Sequence, residues 1–389
     1  VNLCGFAKTG VIDPDKSEVV TINISADAFK TYDANNKKTY IREAGDYYLA
    51  IGEDSHAAIN NILAQKGKKV SDGMTSEGNA SLVKKITFND NDYKTFSKSS
   101  TGETITNKFD DCDWNKYENK DSTDITYLSR SDWNATYPKK VQLTVNAEMW
   151  DDLDYNKTYE ANPKDKMPKY GEQNGLSLVA MRGKDYDDPA WDLLLDQTTL
   201  DEQIELLGKS AYGTPAIPSI GKPGEKVGDG PLGIYRAFTS TVLLAASYNE
   251  NLSEEVGDLM GEYALQNKRG GIYAPGANLH RSIYGGRGYE YYSEDTYVSS
   301  RMLATQVRGI QSTGTYVNVK HFVLNDQDSA RKGISTWTNE QALREVYLEV
   351  FRDAVEQENC MGVMTGFNRI GTTWCGALSS LNNGVLRDE

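Results

Sequence analysis

The sequence predicts a mixed chain, α/β plus all-β: an incomplete (β/α)8 TIM-like barrel preceded by part of a β-sandwich. Three observations carry this. Helix and strand patterns alternate regularly from about Asp188 onward, and apolar residues alternate with polar ones near the start. Two short apolar runs late in the chain also each end in clustered polar side chains. Polar residues at the C-terminal ends of buried parallel strands are how a (β/α) barrel builds an active site.

Residues 1–66 read as β, a partial sandwich. Val20, Ile22 and Ile24 alternate with polar neighbours, and Tyr47, Leu49 and Ile51 do so again after the turn at Glu43–Asp46. Residues 67–187 are rich in Gly, Ser, Asn, Asp and Lys, with isolated apolar stretches at Lys85–Phe88 and Val141–Val145. They read as an extended connector with edge strands, laid over a neighbouring domain.

Residues 188–389 read as the N-terminal part of a barrel. Thr199 and Glu202 form a capping box before a first helix. A second starts at Ser253, with Glu254 and Glu255 in its first turn and an apolar stripe of Val256, Leu259, Met260 and Tyr263. A third carries Met302, Leu303, Val307 and Ile310. A fourth opens on a capping box of Thr338 and Gln341 and continues through Leu343, Val346, Tyr347, Val350, Phe351 and Ala354. Buried-strand patterns lie between them at Ile272–Ala274, Tyr316–Val319 and Gly362–Thr365. Strand and helix in alternation imply a parallel sheet. The segment is shorter than the ~250 residues of a full barrel, so the chain is expected to stop before closure.

Across its 389 residues the chain carries a net charge of −14, which argues against nucleic acid or an anionic membrane surface as partner. No apolar run approaches the ~18 residues of a membrane span. Four scattered cysteines fit no zinc spacing and read as free thiols; three unpaired histidines make a metal site unexpected, and no cofactor is implied. Val1 is no initiator, so the natural start is expected to lie outside this sequence. Localisation has no signal, and cytoplasmic placement is the default expectation.

Candidate site residues follow from the motifs. Asp229, in Gly228–Gly233, could accept hydrogen bonds from two vicinal hydroxyls, or simply make an Asp-Gly-Pro turn. Arg287, in Gly285–Gly288, could donate to a hydroxyl, orient a carboxylate, or sit in an ordinary loop. Lys320 and His321 close an apolar strand, where polar groups are costly unless paired or used. They read as donors to sugar hydroxyls, beside the plainer reading of a satisfied strand-end histidine. His280 clusters with Arg287 in sequence, and Glu290 is a partner for Arg287 or a helix cap. Asp132, in Ser131-Asp132-Trp133, reads as structural.

These motifs resemble glycoside hydrolase family 3, chiefly its β-glucosidases. The matching pieces are GDGPLGI, STVLLAASYN, APGANLHRSIYGGRGYEYYSED, KHFVLNDQDSAR, NEQALREVYLEVF and GVMTGFNRIG, in order from about 228 to 371. The N-terminal piece resembles the fibronectin type III-like domain of the same family, here placed before the barrel as in permuted members. The resemblance implies a retaining, exo-acting β-glucosidase for terminal non-reducing β-D-glucosyl residues of oligosaccharides or aryl and alkyl glucosides. Its substrate-binding positions are matched by Asp229, Arg287, Lys320, His321, Met364 and Phe367. Phe367 stands where tyrosine is usual, Ile283-Tyr284 replaces a Pro-containing pair, and Thr296 replaces a proline. No catalytic carboxylate is assigned within the chain. The nucleophile is expected after Glu389 and the acid/base before Val1, so activity needs those portions, in the same polypeptide or a partner chain. A β-xylosidase or arabinosidase of the family, or a non-catalytic sugar-binding or scaffold protein derived from it, are the alternatives.

Overall fold

A computed structural model describes residues 2–117, 125, 127, 144–154 and 162–389; Asp132 and most of Val141–Val145 lie outside them. Residues 2–25 form no regular strand, and Val20 and Ile22 are exposed. Alternation at 20–24 is therefore not a strand here: a strand needs a ladder partner, and these residues pair with none among those described.

The first regular pairing is the hairpin of β1 (Thr31–Asp33) and β2 (Thr39–Ile41). Its turn is held by the Asp33 carboxylate, which accepts from the amides of Asn35, Asn36 and Lys37. Strand β3 (Gly45–Ala50) covers the predicted alternation up to Leu49 but leaves Ile51 outside. Helix α1 (Ser55–Gln65) corrects the all-β reading of this region; its start is fixed by Asp54 accepting from the Ala57 amide. The helix was hard to see because its buried face holds polar Asn60 and Asn61, satisfied by Thr75, Ser76 and the Ile51 carbonyl. Strand β4 (Val83–Phe88) then pairs antiparallel with β3 along its full length.

The chain next crosses onto the barrel segment. Phe109 and Cys112 enter the main core, the amides of Lys108 and Phe109 donate to Glu340, and Trp114 meets Trp337 edge-on. Short helices follow: α2 (Ala147–Leu153), α3 (Ala190–Asp196) and α4 (Leu200–Lys209). The Thr199–Glu202 capping box forms as the sequence indicates.

Parallel pairing then takes over. Strand β5 (Gly213–Thr214) runs antiparallel to β6 (Glu225–Asp229). Helices α5 (Thr241–Ala245) and α6 (Glu250–Gln266) lead to β7 (Gly271–Tyr273), parallel to β6. Helix α7 (Thr296–Ser312) leads to β8 (Tyr316–Val317), parallel to β7, and β9 (Val319–Phe322) follows after Asn318. Beyond β10 (Ser335–Thr336) comes α8 (340–356), in which a π-helical stretch at Leu343–Leu348 precedes α-helical Glu349–Glu356. Strand β11 (Val363–Thr365) is parallel to β9, and β12 (Arg369–Ile370) and β13 (Thr373–Trp374) close a small sheet with β10. The parallel order β6, β7, β8/β9, β11, with α6, α7 and α8 in the crossovers, is TIM-barrel-like.

Two helix starts differ from the sequence reading. Helix α6 is capped by Asn249 rather than Ser253, and Ser253 is buried with its hydroxyl donating to the Met302 carbonyl. Helix α8 is capped by Asn339, one residue past Thr338. The buried face of α6 is Ser253, Gly257, Met260, Gly261 and Ala264, while Leu259 faces solvent. A Cβ on Gly257 would lie 2.4 Å from the Gln306 carbonyl oxygen, and one on Gly309 would lie 2.1 Å from that of Glu254. Helices α6 and α7 approach more closely than side chains allow, so the contact is made by small residues that a search for large apolar ones passes over.

Candidate active site

The strand ends β6, β9 and β11 bring the polar candidates together. Asp229 is the last residue of β6 and half exposed; Gly230 after it has φ 156°, in the region that favours glycine. Lys320 and His321 lie inside β9 rather than after it, and each is only 2% exposed. A buried ammonium is tolerated only with a partner. Lys320 Nζ donates to Asp229 Oδ1 at 2.8 Å, so the residue that resembles a turn in sequence is tied to the neighbouring strand.

His321 is clamped by its own backbone. Its amide donates to Asn278 Oδ1 at 3.0 Å, and Asn278 Nδ2 donates to its carbonyl at 2.9 Å. The ring faces Arg287, whose Nη1 is 3.0 Å from Nε2, and the Tyr291 hydroxyl, 3.2 Å from Nδ1. Burial, and then the cations Arg287, Lys320 and Arg331, push its pKa down to about 2. Burial and the neighbouring cations thus favour the neutral imidazole. Because an arginine can only donate, Nε2 is an acceptor here. In this arrangement His321 holds Arg287, where the sequence reading had it donate to a sugar hydroxyl.

Arg287 sits in the loop before a short 3-10 turn at Gly288–Glu290, and its Nε donates to Glu290, which is 2% exposed. Glu290 thus pairs with Arg287 and does not cap α7, whose N-cap is Asp295. No partner among the described residues is bonded to Arg287 Nη2, which leaves a donor for a ligand. Met364 stands opposite Lys320 in the β9–β11 register, and Phe367 lies beyond β11, 45% exposed, with the Arg331 guanidinium 5.6 Å from its ring centroid.

His280 is not brought into this group. Its Nε2 bonds the Tyr291 carbonyl rather than any of the polar candidates, and it stands between the small cavity beside Arg287 and an adjoining cleft of about 590 Å³ bounded by α5, the N-terminus of α7 and the 280–288 loop. Several residues at the site had no sequence signal of their own: Asn278, Tyr291, Asn325 and Asp326. Asp326 accepts from the Leu279 amide, and burial pushes its carboxyl up to about 6. Such residues are defined by what the 274–291 and 321–328 loops enclose, which spacing along the chain does not report. Among the described residues no group of three or more His, Cys, Asp or Glu could hold a metal ion, and no helix is long and apolar enough to cross a membrane.

A parallel strand-helix unit with paired polar groups gathered at its C-terminal strand ends is how a TIM-barrel-like protein builds a site. Comparison with known proteins makes this specific. The profile described as "Glycosyl hydrolase family 3 N terminal domain" matches residues 213–389, and "Fibronectin type III-like domain" matches residues 1–55. Residues 213–389 thus carry the N-terminal domain of glycoside hydrolase family 3, with a fibronectin type III-like domain ahead of it, and the chain is similar to the family's β-glucosidases. It is 28% identical to β-glucosidase A of Butyrivibrio fibrisolvens over 100% of this chain and 45% of that protein. It is 35% identical to a β-glucosidase of Kluyveromyces marxianus over 50% of this chain and 24% of that protein. The solved β-glucosidase of Paenibacillus barengoltzii superposes with a TM-score of 0.68 at 22% identity, covering 100% of this chain and 40% of that one, and so shares its fold. The chain spans less than half the length of these relatives.

Proposed function

We propose that this chain supplies the sugar-holding part of a retaining, exo-acting β-glucosidase, with Asp229, Arg287, Lys320, His321, Met364 and Phe367 around the terminal non-reducing glucosyl residue. The observation that carries this reading is the pairing of Lys320 with Asp229 and of His321 with Arg287 at neighbouring strand ends. Asp229 keeps carboxylate lone pairs for two vicinal hydroxyls, and Arg287 keeps a donor for a third. Phe367 and Met364 add an apolar wall for the ring.

Retaining hydrolysis needs two carboxyl groups roughly 5 Å apart, one as nucleophile and one as acid/base. Asp229 and Glu290 are each engaged with a cation. We therefore assign neither Asp229 nor Glu290 to the reacting pair. The isolated chain is expected to bind glucose by calorimetry, to lose at least tenfold in affinity in Asp229→Ala, and to leave nitrophenyl β-glucoside intact. Unchanged affinity in the variant removes Asp229 from the site, and steady turnover refutes the placement of the carboxylates. Xylose binding as tightly as glucose would move the reading to a β-xylosidase or arabinosidase.

A further inference from the structure

His321 is buried, its backbone is clamped by Asn278, and both ring nitrogens have partners. Which nitrogen carries the proton is set by those partners. Arg287 Nη1 can only donate, so Nε2 must present its lone pair; in the neutral ring the proton then sits on Nδ1. The group facing Nδ1 is the Tyr291 hydroxyl at 3.2 Å, which can accept that proton's hydrogen bond. The hydroxyl's own hydrogen is directed to the Asn325 carbonyl at 3.4 Å. The donors run in one direction: His321 Nδ1–H to Tyr291, and Tyr291 O–H to Asn325. Arg287 closes the group, with Nε on Glu290 and its guanidinium 5.9 Å from the Tyr291 ring centroid.

We propose that Tyr291 is a positioning residue: by accepting from Nδ1–H its hydroxyl supports, together with Arg287, the Nδ1-protonated tautomer of His321, whose free Nε2 lone pair holds the Arg287 guanidinium in its sugar-binding orientation. Without the hydroxyl, Nδ1–H would be a buried donor lacking a partner. The ring relieves this by moving its proton to Nε2. An Nε2–H then points at an arginine N–H, and Arg287 is driven off. Every cation near the ring, Arg287, Lys320 and Arg331, opposes the doubly protonated form, so the exchange is between neutral tautomers. The consequence for sugar affinity rests on the proposed function; the tautomer does not.

The chain has three histidines, which makes the test direct. Nitrogen-15 histidine-labelled chain is studied by two-bond nitrogen–proton correlation between pH 5 and 8, with His56→Asn and His280→Asn used to assign the remaining ring. The expected wild-type signal for His321 is an Nδ1–H neutral imidazole that does not titrate. Tyr291→Phe, which keeps the aromatic ring, is expected to populate the Nε2–H form and to weaken glucose binding at least tenfold with an unchanged circular dichroism spectrum. A wild-type Nε2–H tautomer, or a Tyr291→Phe protein that keeps Nδ1–H, overturns the proposal. Lower thermal stability with an unmoved tautomer also overturns it, since that is what a merely structural tyrosine would give. Failure of wild-type chain to bind glucose while the tautomers behave as stated refutes the sugar-holding reading and leaves this one standing.

Discussion

Arg287, half-buried, and Arg344, buried, are both bonded to buried glutamates, yet they serve different ends. Arg344, on α8, is 3% exposed at its side chain and has all three guanidinium nitrogens bonded, four of its five N–H groups in all. Its Nε donates to Glu340, Nη1 and Nη2 to Glu389, and Nη2 also to the Thr106 carbonyl, with the rings of Tyr32 and Phe109 against it. Those partners come from the β1 hairpin, the connector and the barrel segment, so Arg344 ties together parts of the chain far apart in sequence. Arg287 is 17% exposed, has one carboxylate and one imidazole, and keeps Nη2 unbonded among the described residues. An arginine with every nitrogen bonded is architecture, and one with a nitrogen left unbonded beside a strand-end carboxylate is a binding group. The count of unmet donors, more than burial or charge, separates the two.

The largest effect should come from breaking the Arg344 cluster. Arg344→Met leaves Glu340 buried without its cation and Glu389 with only the more distant Lys108, 3.7 Å away, and the expected loss of stability is about 3–5 kcal/mol. Urea denaturation measures it, and glucose affinity of the molecules still folded should be unchanged. A loss below 1 kcal/mol would mean that the cluster is not what joins the domains.

A carboxylate with no bonded cation sharpens the contrast next. Asp326 lines the small cavity beside Arg287 and has its pKa raised to about 6 by burial. Its folded pKa exceeds the unfolded value of about 3.9, so the native state retains the proton longer. Stability from this group is complete below about pH 4 and is lost as pH rises through 6. Asp326→Asn, whose amide oxygen can still accept from the Leu279 amide, should gain up to about 3 kcal/mol over wild type between pH 4 and 7. Parallel pH–stability curves for the two proteins would show that Asp326 is solvated.

The smallest change tests the binding arginine itself. Arg287→Lys keeps a charge for Glu290 and loses the fork that reaches His321 at the same time. Glucose affinity should fall about tenfold, or ~1.4 kcal/mol, while stability moves by about 1 kcal/mol or less. Equal affinity for lysine and arginine would reduce the interaction to a point charge.

Much of the barrel segment was legible in sequence because its signals are local. The runs inferred at 272–274, 316–319 and 362–365 coincide with strands at 271–273, 316–317 with 319–322, and 363–365, and Met302, Leu303, Val307 and Ile310 are wholly buried on α7. Helix α1 and the glycine face of α6 were not legible, because buried asparagines and packed glycines carry no apolar period. The strand inferred at 20–24 failed for the opposite reason: it has the period and no partner among the described residues.

By itself, then, the sequence determined which segments alternate as strand and helix and which motifs carry polar groups to strand ends, since both depend on neighbours a few residues away. It named Asp229, Arg287, Lys320 and His321 one at a time. Only the tertiary structure decided that Lys320 meets Asp229 across 91 residues and His321 meets Arg287 across 34. It alone put Tyr291 on the other ring nitrogen and turned the His280 ring to the Tyr291 carbonyl instead of to Arg287 or His321. The reason is that hydrogen-bond valence is a property of three-dimensional neighbours: a histidine is a donor, an acceptor or both according to what the register of adjacent strands and the loops beyond them place against each nitrogen.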